Sequence, residues 1–228
     1  MILLLLLFCS SLFAQQTSVE SDDAHYNGSV ITLTGKVHVE NEMGELFADV
    51  AILTKDEAKT TRIDFPWIEL KQNVRFDLEQ GRHLLCDHAF LDYTKKTSLI
   101  VGSQAHYSDD HGEVFANRAV IDYEEDGKQL RPTKVTLYDD VRMVNREKEQ
   151  YALADTVEYF PAEERMILKG ECVLFYDKER SVELSAKEVH AKRDEEKRES
   201  VRGIGNVRFL FGASEMDKLE QRFGKCWK

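Results

Sequence analysis

Residues 29–40, "SVITLTGKVHVE", alternate with a single breach. Ile31, Leu33, Gly35, Val37 and Val39 hold the odd places, and Thr32, Thr34, Lys36, His38 and Glu40 the even ones; Val30 is the breach. Successive side chains of a strand point to opposite faces, so this pattern predicts a long, half-buried strand with one apolar stripe.

The stripe recurs. Its template is apolar, x, apolar, x, small or polar, x, apolar, x, apolar. Further matches are Ile68, Leu70, Gln72, Val74, Phe76; then Leu99, Val101, Ser103, Ala105, Tyr107; then Val135, Leu137, Asp139, Val141, Met143. Met166, Leu168, Gly170, Cys172 and Leu174 follow, and last Val201, Gly203, Gly205, Val207 and Phe209, where the second slot is a glycine. The six starts lie 37, 31, 36, 31 and 35 residues apart, a period that signals stacked supersecondary units. A second strand begins after each of the first five, at Ala48-Asp49, Cys86-Asp87, Ala116-Asn117, Ala154-Asp155 and Ala186-Lys187. Cys86 thus sits in an alanine slot and Cys172 in a core-valine slot, both as small hydrophobes.

The expected fold is all-β, with strands in sequential pairs. Six rungs at ~4.8 Å give a stack of roughly 25–30 Å with one continuous apolar face. Two such walls face to face make a jelly-roll or a flattened β-helix, and periodicity does not choose between a sealed core and a groove left ajar. Charged runs at 55–64, 124–132 and 192–200 are read as loops between repeats. In the fifth and sixth repeats the other face is apolar as well, through Ile167, Val173, Phe175, Ile204 and Leu210. Either the following tail covers it or another chain docks there.

Both termini differ from this pattern. "MILLLLLFCSSLFA", residues 1–14, is too short for the ~20 apolar residues of a membrane span and is read as a cleaved export signal. Residues 212–228 form a tail in which Met216, Leu219 and Phe223 outline a short amphipathic helix. The 228 residues carry a net charge of -11 and no basic-aromatic stripe, which argues against nucleic acid.

Chemistry leaves little trace. Seven histidines are scattered without tight ligand spacing; Asp109-Asp110-His111 and Asp22-Asp23-x-His25 are the nearest to a metal cluster, and the first suits a turn equally well. No nucleophile elbow, phosphate-cradling loop or Cys-x-x-Cys is present. Neither catalysis nor a cofactor is expected.

"GSVITLTGKVHVE", residues 28–40, followed by "FADVAILTK", residues 47–55, resembles the LptA/OstA family of periplasmic lipopolysaccharide-transport proteins. The resemblance rests on Gly28, Thr32, Thr34, Gly35, Val37, Val39, Ala48 and Asp49, with "VESD" from Val19 as the leading strand and "ILKGECVLF", residues 167–175, as a later repeat. It implies a V-shaped β-jelly-roll over residues 15–211, with an open apolar interior that holds the acyl chains of lipid A. Family members join end to end, with other Lpt components at both membranes. On that resemblance the lipid-lining residues are Ile31, Leu33, Val37, Val39, Ile68, Leu70, Val74, Phe76, Leu99, Val101, Val135, Leu137, Val141, Met143, Leu168 and Leu174. Val19 at one end, and Val207 and Phe209 at the other, are the docking edges. Two other readings stand beside the carrier: an LptC-like adaptor of the same transport machine, and a β-helical enzyme acting on envelope polysaccharide.

Overall fold

The computed structural model describes residues 18–41, 44–58, 63–79, 81–126, 129–194, 196 and 198–212. The expected signal and tail helix lie outside the described residues. The strands are β1 (Ser18–Glu20), β2 (Asp23–Tyr26), β3 (Val30–Asn41), β4 (Gly44–Thr54), β5 (Trp67–Leu78), β6 (Arg82–Asp92) and β7 (Thr97–Asp109). They continue as β8 (Gly112–Asp126), β9 (Gln129–Asn145), β10 (Gln150–Phe160), β11 (Arg165–Asp177), β12 (Val182–Arg193), β13 (Glu199–Ile204) and β14 (Arg208–Phe211), with one 3₁₀ turn at Pro161–Glu163. They make one sheet whose order follows the chain from β3 to β13, with β1 and β2 both beside β3, and β14 beside β12. All pairings are antiparallel, which settles the jelly-roll over the β-helix, whose coils run parallel.

Two expectations about spacing change. Both members of each hairpin lie in the same sheet, so each adds its own rung. The twelve strands on the main path then stack to about 50 Å at ~4.8 Å per step. The charged run at 124–132 is no loop: β8 extends to Asp126 and β9 begins at Gln129.

Each long strand bends at its middle. In β3 to β12 the pairing register shifts at a bulge, as between Thr34 and Val37 or between Lys169 and Val173. Every strand therefore contributes a first arm (30–34 of β3, paired with 50–54 of β4) and a second arm (37–41, paired with 44–48). Inward residues flanking the bend are four apart in β3, β5 and β9 (Leu33/Val37, Leu70/Val74, Leu137/Val141). In these strands two successive residues take positive φ: Gly35 and Lys36, Gln72 and Asn73, Asp139 and Asp140. Left-handed backbone suits glycine, asparagine and aspartate, which accounts for small or polar residues at the bends of these three strands. In β7 and β11 the flanking residues are five apart (Ile100/Ala105, Leu168/Val173), and no residue between them has positive φ.

The Ala-Asp pairs hold these bends. On return strands the inward residues are three apart, as in Ala48/Ala51, Cys86/Ala89 and Ala154/Val157. The acidic residue between them caps the neighbouring bulge. Asp87 accepts from the Ser103 N–H at 2.8 Å, Asp155 from the Glu171 N–H at 2.9 Å, and Asp49 from the Asn73 amide at 2.7 Å.

The core lies between the arms. Val37, Val74, Val141, Leu168 and Val189 are at most 1% exposed, yet no helix or second sheet covers them among the described residues. A single sheet buries one face completely only by folding over itself, so the two arms cover each other. The core joins residues of both arms in one cluster. Asp155→Ala should lower stability by about 1–2 kcal/mol, because the Glu171 N–H loses its acceptor in a bulge that cannot re-pair. Asp155→Asn should retain most of it, as read from urea denaturation midpoints.

Candidate functional site

The interior between the arms is the candidate site, and its floor is side chain. Leu33, Val37, Ile68, Leu70, Val74, Phe76, Val135, Leu137, Val141, Met143 and Leu168 are buried in the common cluster, with Ile31 and Val39 packed against it. Three further expected residues lie elsewhere. Leu99 and Val101 occupy the outer face, because Ile100 points inward, and Leu174 belongs to a separate outer cluster with Leu153 and Tyr176. The cause is the five-residue bend of β7 and β11, which reverses the alternation that a four-residue bend preserves. For the same reason Val173 and Phe175, expected outside, face in.

The cysteines divide likewise. Cys86 is free and buried, and burial, reinforced by the Asp87 carboxylate, pushes its thiol up to about 12. Cys172 is only half-buried and is disulfide-bonded, not a small core hydrophobe. Asp109 serves its turn, accepting from the backbone N–H groups of His111 and Gly112 at 2.8 Å each and from the Tyr107 hydroxyl at 3.1 Å.

Toward β13 the seam opens into a cavity of about 130 Å³. Met143 and Phe175 line it from the second arm, and Tyr159, Met166, Ala191 and Val201 from the first. Burial, with the Glu164 carboxylate next, pushes the Tyr159 phenol up to about 12, so it stays neutral. Polar groups close the rim. Lys148, in the turn between β9 and β10 at the tip of the second arm, donates to Glu199 at the tip of the first. Arg193 donates to the same carboxylate at 3.0 Å, and the Gln150 amide reaches it at 3.5 Å. Burial raises the Glu199 carboxyl, but the hydrogen bonds from Lys148 and Arg193 outweigh it and hold the group down at about 2. This clasp was invisible in the sequence, where Glu199 and Lys148 lie in two unrelated charged segments.

At the end rung the apolar lining reaches solvent. Phe209 and Phe211 pair with Leu184 and Val182, so they share the inner face, and they are 46% and 78% exposed. Gly203 is small because an added Cβ would meet Val207 at 2.9 Å and Leu184 at 3.0 Å. Val19 lies at the opposite edge, paired through β1 to Val39.

Residues 18–197 match the model of a family described as LptA/(LptD N-terminal domain) LPS transport protein. The chain belongs to that family. Its members are described as LPS transport proteins, and the antiparallel jelly-roll with an apolar seam is the architecture of this one. No curated protein matches. Among solved structures, the chain is similar to LptH of Pseudomonas aeruginosa, the LptA homologous periplasmic component of the lipopolysaccharide transport device. That likeness is 13% in sequence, covers 87% of this chain and 96% of the other, and has a TM-score of 0.25. Family membership rests on the sequence match.

Glu199→Gln should loosen the clasp and raise uptake of a fluorescent apolar probe severalfold at neutral pH, measured by titration. In the unaltered chain a carboxyl held down at about 2 contributes stability that is complete above its unfolded value of ~4.3 and is lost as pH falls through about 2. Acidification through that window should produce the same uptake, with little further rise in the Gln variant.

Proposed function

We propose that this chain is a non-catalytic periplasmic carrier that shelters the acyl chains of lipopolysaccharide between its arms and bridges the inner and outer membranes. The observation that carries the reading is the seam. An apolar lining follows every strand from β3 to β13, and it reaches a cavity and solvent at the β13–β14 end. Each methylene left in water costs ~0.8 kcal/mol, so a lipid with several long chains crosses an aqueous space only inside such a sheath.

The cavity bounds the mechanism. About 130 Å³ is close to the ~150 Å³ that admits a benzene-sized solute, far below what a set of acyl chains fills. Loading therefore requires the arms to part, starting at the rim where, among the described residues, Lys148, Gln150, Arg193 and Glu199 join them. The end rungs supply the partners' docking edges. β1 and β2 at one end, and β13 and β14 at the other, are short and have no further strand beside them among the described residues, which suits strand addition by a second copy or by other Lpt components. Export by a cleaved segment 1–14 belongs to the same reading.

A photoreactive amino acid at position 166 should cross-link to lipopolysaccharide at least tenfold more than one at position 99, which is on the same arm but faces outward. Equal labelling at the two positions would sink the carrier. Leu33→Asp should abolish loading by placing a carboxylate in the seam, as read by native mass spectrometry.

A further inference from the structure

The disulfide of Cys172 has a second meaning. Cys172 stands two residues before Leu174 and four before Tyr176, in the alternation that faces outward on β11. Across the strands, Leu85, His106, Phe115, Arg142, Leu153 and Leu174 form one directly paired outer row. Leu85 is 44% exposed in it, whereas Leu153, the equivalent residue 68 positions later (153 minus 85), is 8% exposed. Leu174 and Tyr176 are 5% and 3% exposed beside it. No described strand lies over this patch, which is separate from the core between the arms.

Sixteen residues, 213–228, follow the last described position, close enough in sequence to supply a cover for it. β14 ends at Phe211, paired with Val182 at the tip of the second arm, and the Gly212 N–H donates to the Ser181 carbonyl at 2.9 Å. From Asp177, the cross-strand neighbour of Val182, back to Cys172 is five residues, about 17 Å of strand. A helix over 214–226 spans about 18 Å. Met216, Leu219 and Phe223 fall on one stripe of such a helix. Of the four cysteines, Cys86 is free and Cys9 lies in the segment assigned to the export signal, which leaves Cys226.

We propose that Cys172 and Cys226 form a disulfide that staples residues 213–228 as an amphipathic helix across the outer face of β10–β12. The bond forms by exchange: the two thiols lose two protons and two electrons to a disulfide donor, which leaves as a dithiol. The inference borrows from the carrier reading only the loss of residues 1–14 and an oxidising compartment. It gives the last rungs a second layer, and it holds β14 in place beside the mouth of the seam.

Trypsin digestion of the non-reduced protein tests the bond without reference to lipid. It should yield "GECVLFYDK", residues 170–178, linked to "CWK", residues 226–228, as a species lost on reduction. Free Cys226, or its linkage to Cys86, would overturn the pairing. Phe223→Asp tests the cover: it should speed reduction of the bond by dithiothreitol at least tenfold, and an unchanged rate would overturn the packed helix. Normal lipid loading with a missing bond would reject the staple alone, and a staple without loading would reject only the carrier.

Discussion

A bend in every long strand is the constraint on which this molecule depends. A flat twelve-rung meander would expose one whole apolar face, and no other layer among the described residues could cover it. Bulges at mid-strand turn that liability into a closed seam, because each strand then supplies both walls. The bend has its own cost, since a bulge frees backbone N–H groups and forces left-handed conformations. Gly35, Asn73, Asp139 and Asp140 accept those conformations, Asp87 and Asp155 receive freed backbone donors, and Asp49 holds the side-chain amide of Asn73. The repeated Ala-Asp pair thus performs two tasks: alanine lets the walls approach, and aspartate fixes the corner.

The same device joins the strands within an arm more strongly than it joins the two arms to each other. Within an arm, adjacent strands are joined by backbone ladders along their length. Between the arms there is apolar contact plus a polar clasp at the tips, where Lys148 and Arg193 meet Glu199. Apolar contact is non-directional and can be exchanged for contact with hydrocarbon at little net cost, whereas backbone hydrogen bonds cannot be exchanged for anything a lipid offers. Separation of the arms is therefore the soft motion, and rupture of the sheet is the stiff one.

The two ends of the stack differ in kind. At the β1–β2 end the edge strands are short and lie wholly at the surface. At the β13–β14 end the inner face itself emerges, through Phe209 and Phe211, next to the cavity. Such polarity suits a carrier that receives and delivers at different ends. An outer layer stapled at Cys172 would hold the second end fixed.

The sequence by itself determined the strand class, the number of hairpins, the inward placement of Leu33, Leu70, Val74, Leu137 and Val141, and the small or polar residue at each bend. Alternation carries that information because side-chain direction has a period of two, so a stripe such as that of residues 31–39 names its own face. It could not determine how many residues each bend consumes. Five rather than four in β7 and β11 sent Leu99, Val101 and Leu174 outward and brought Ile100, Val173 and Phe175 in. A single residue in a bulge reverses every later side chain, and its placement is set by the neighbouring strand's register, not by local propensity. The clasp of Lys148 with Glu199 likewise joins residues 51 positions apart. Only the folding of the sheet upon itself brought them within reach.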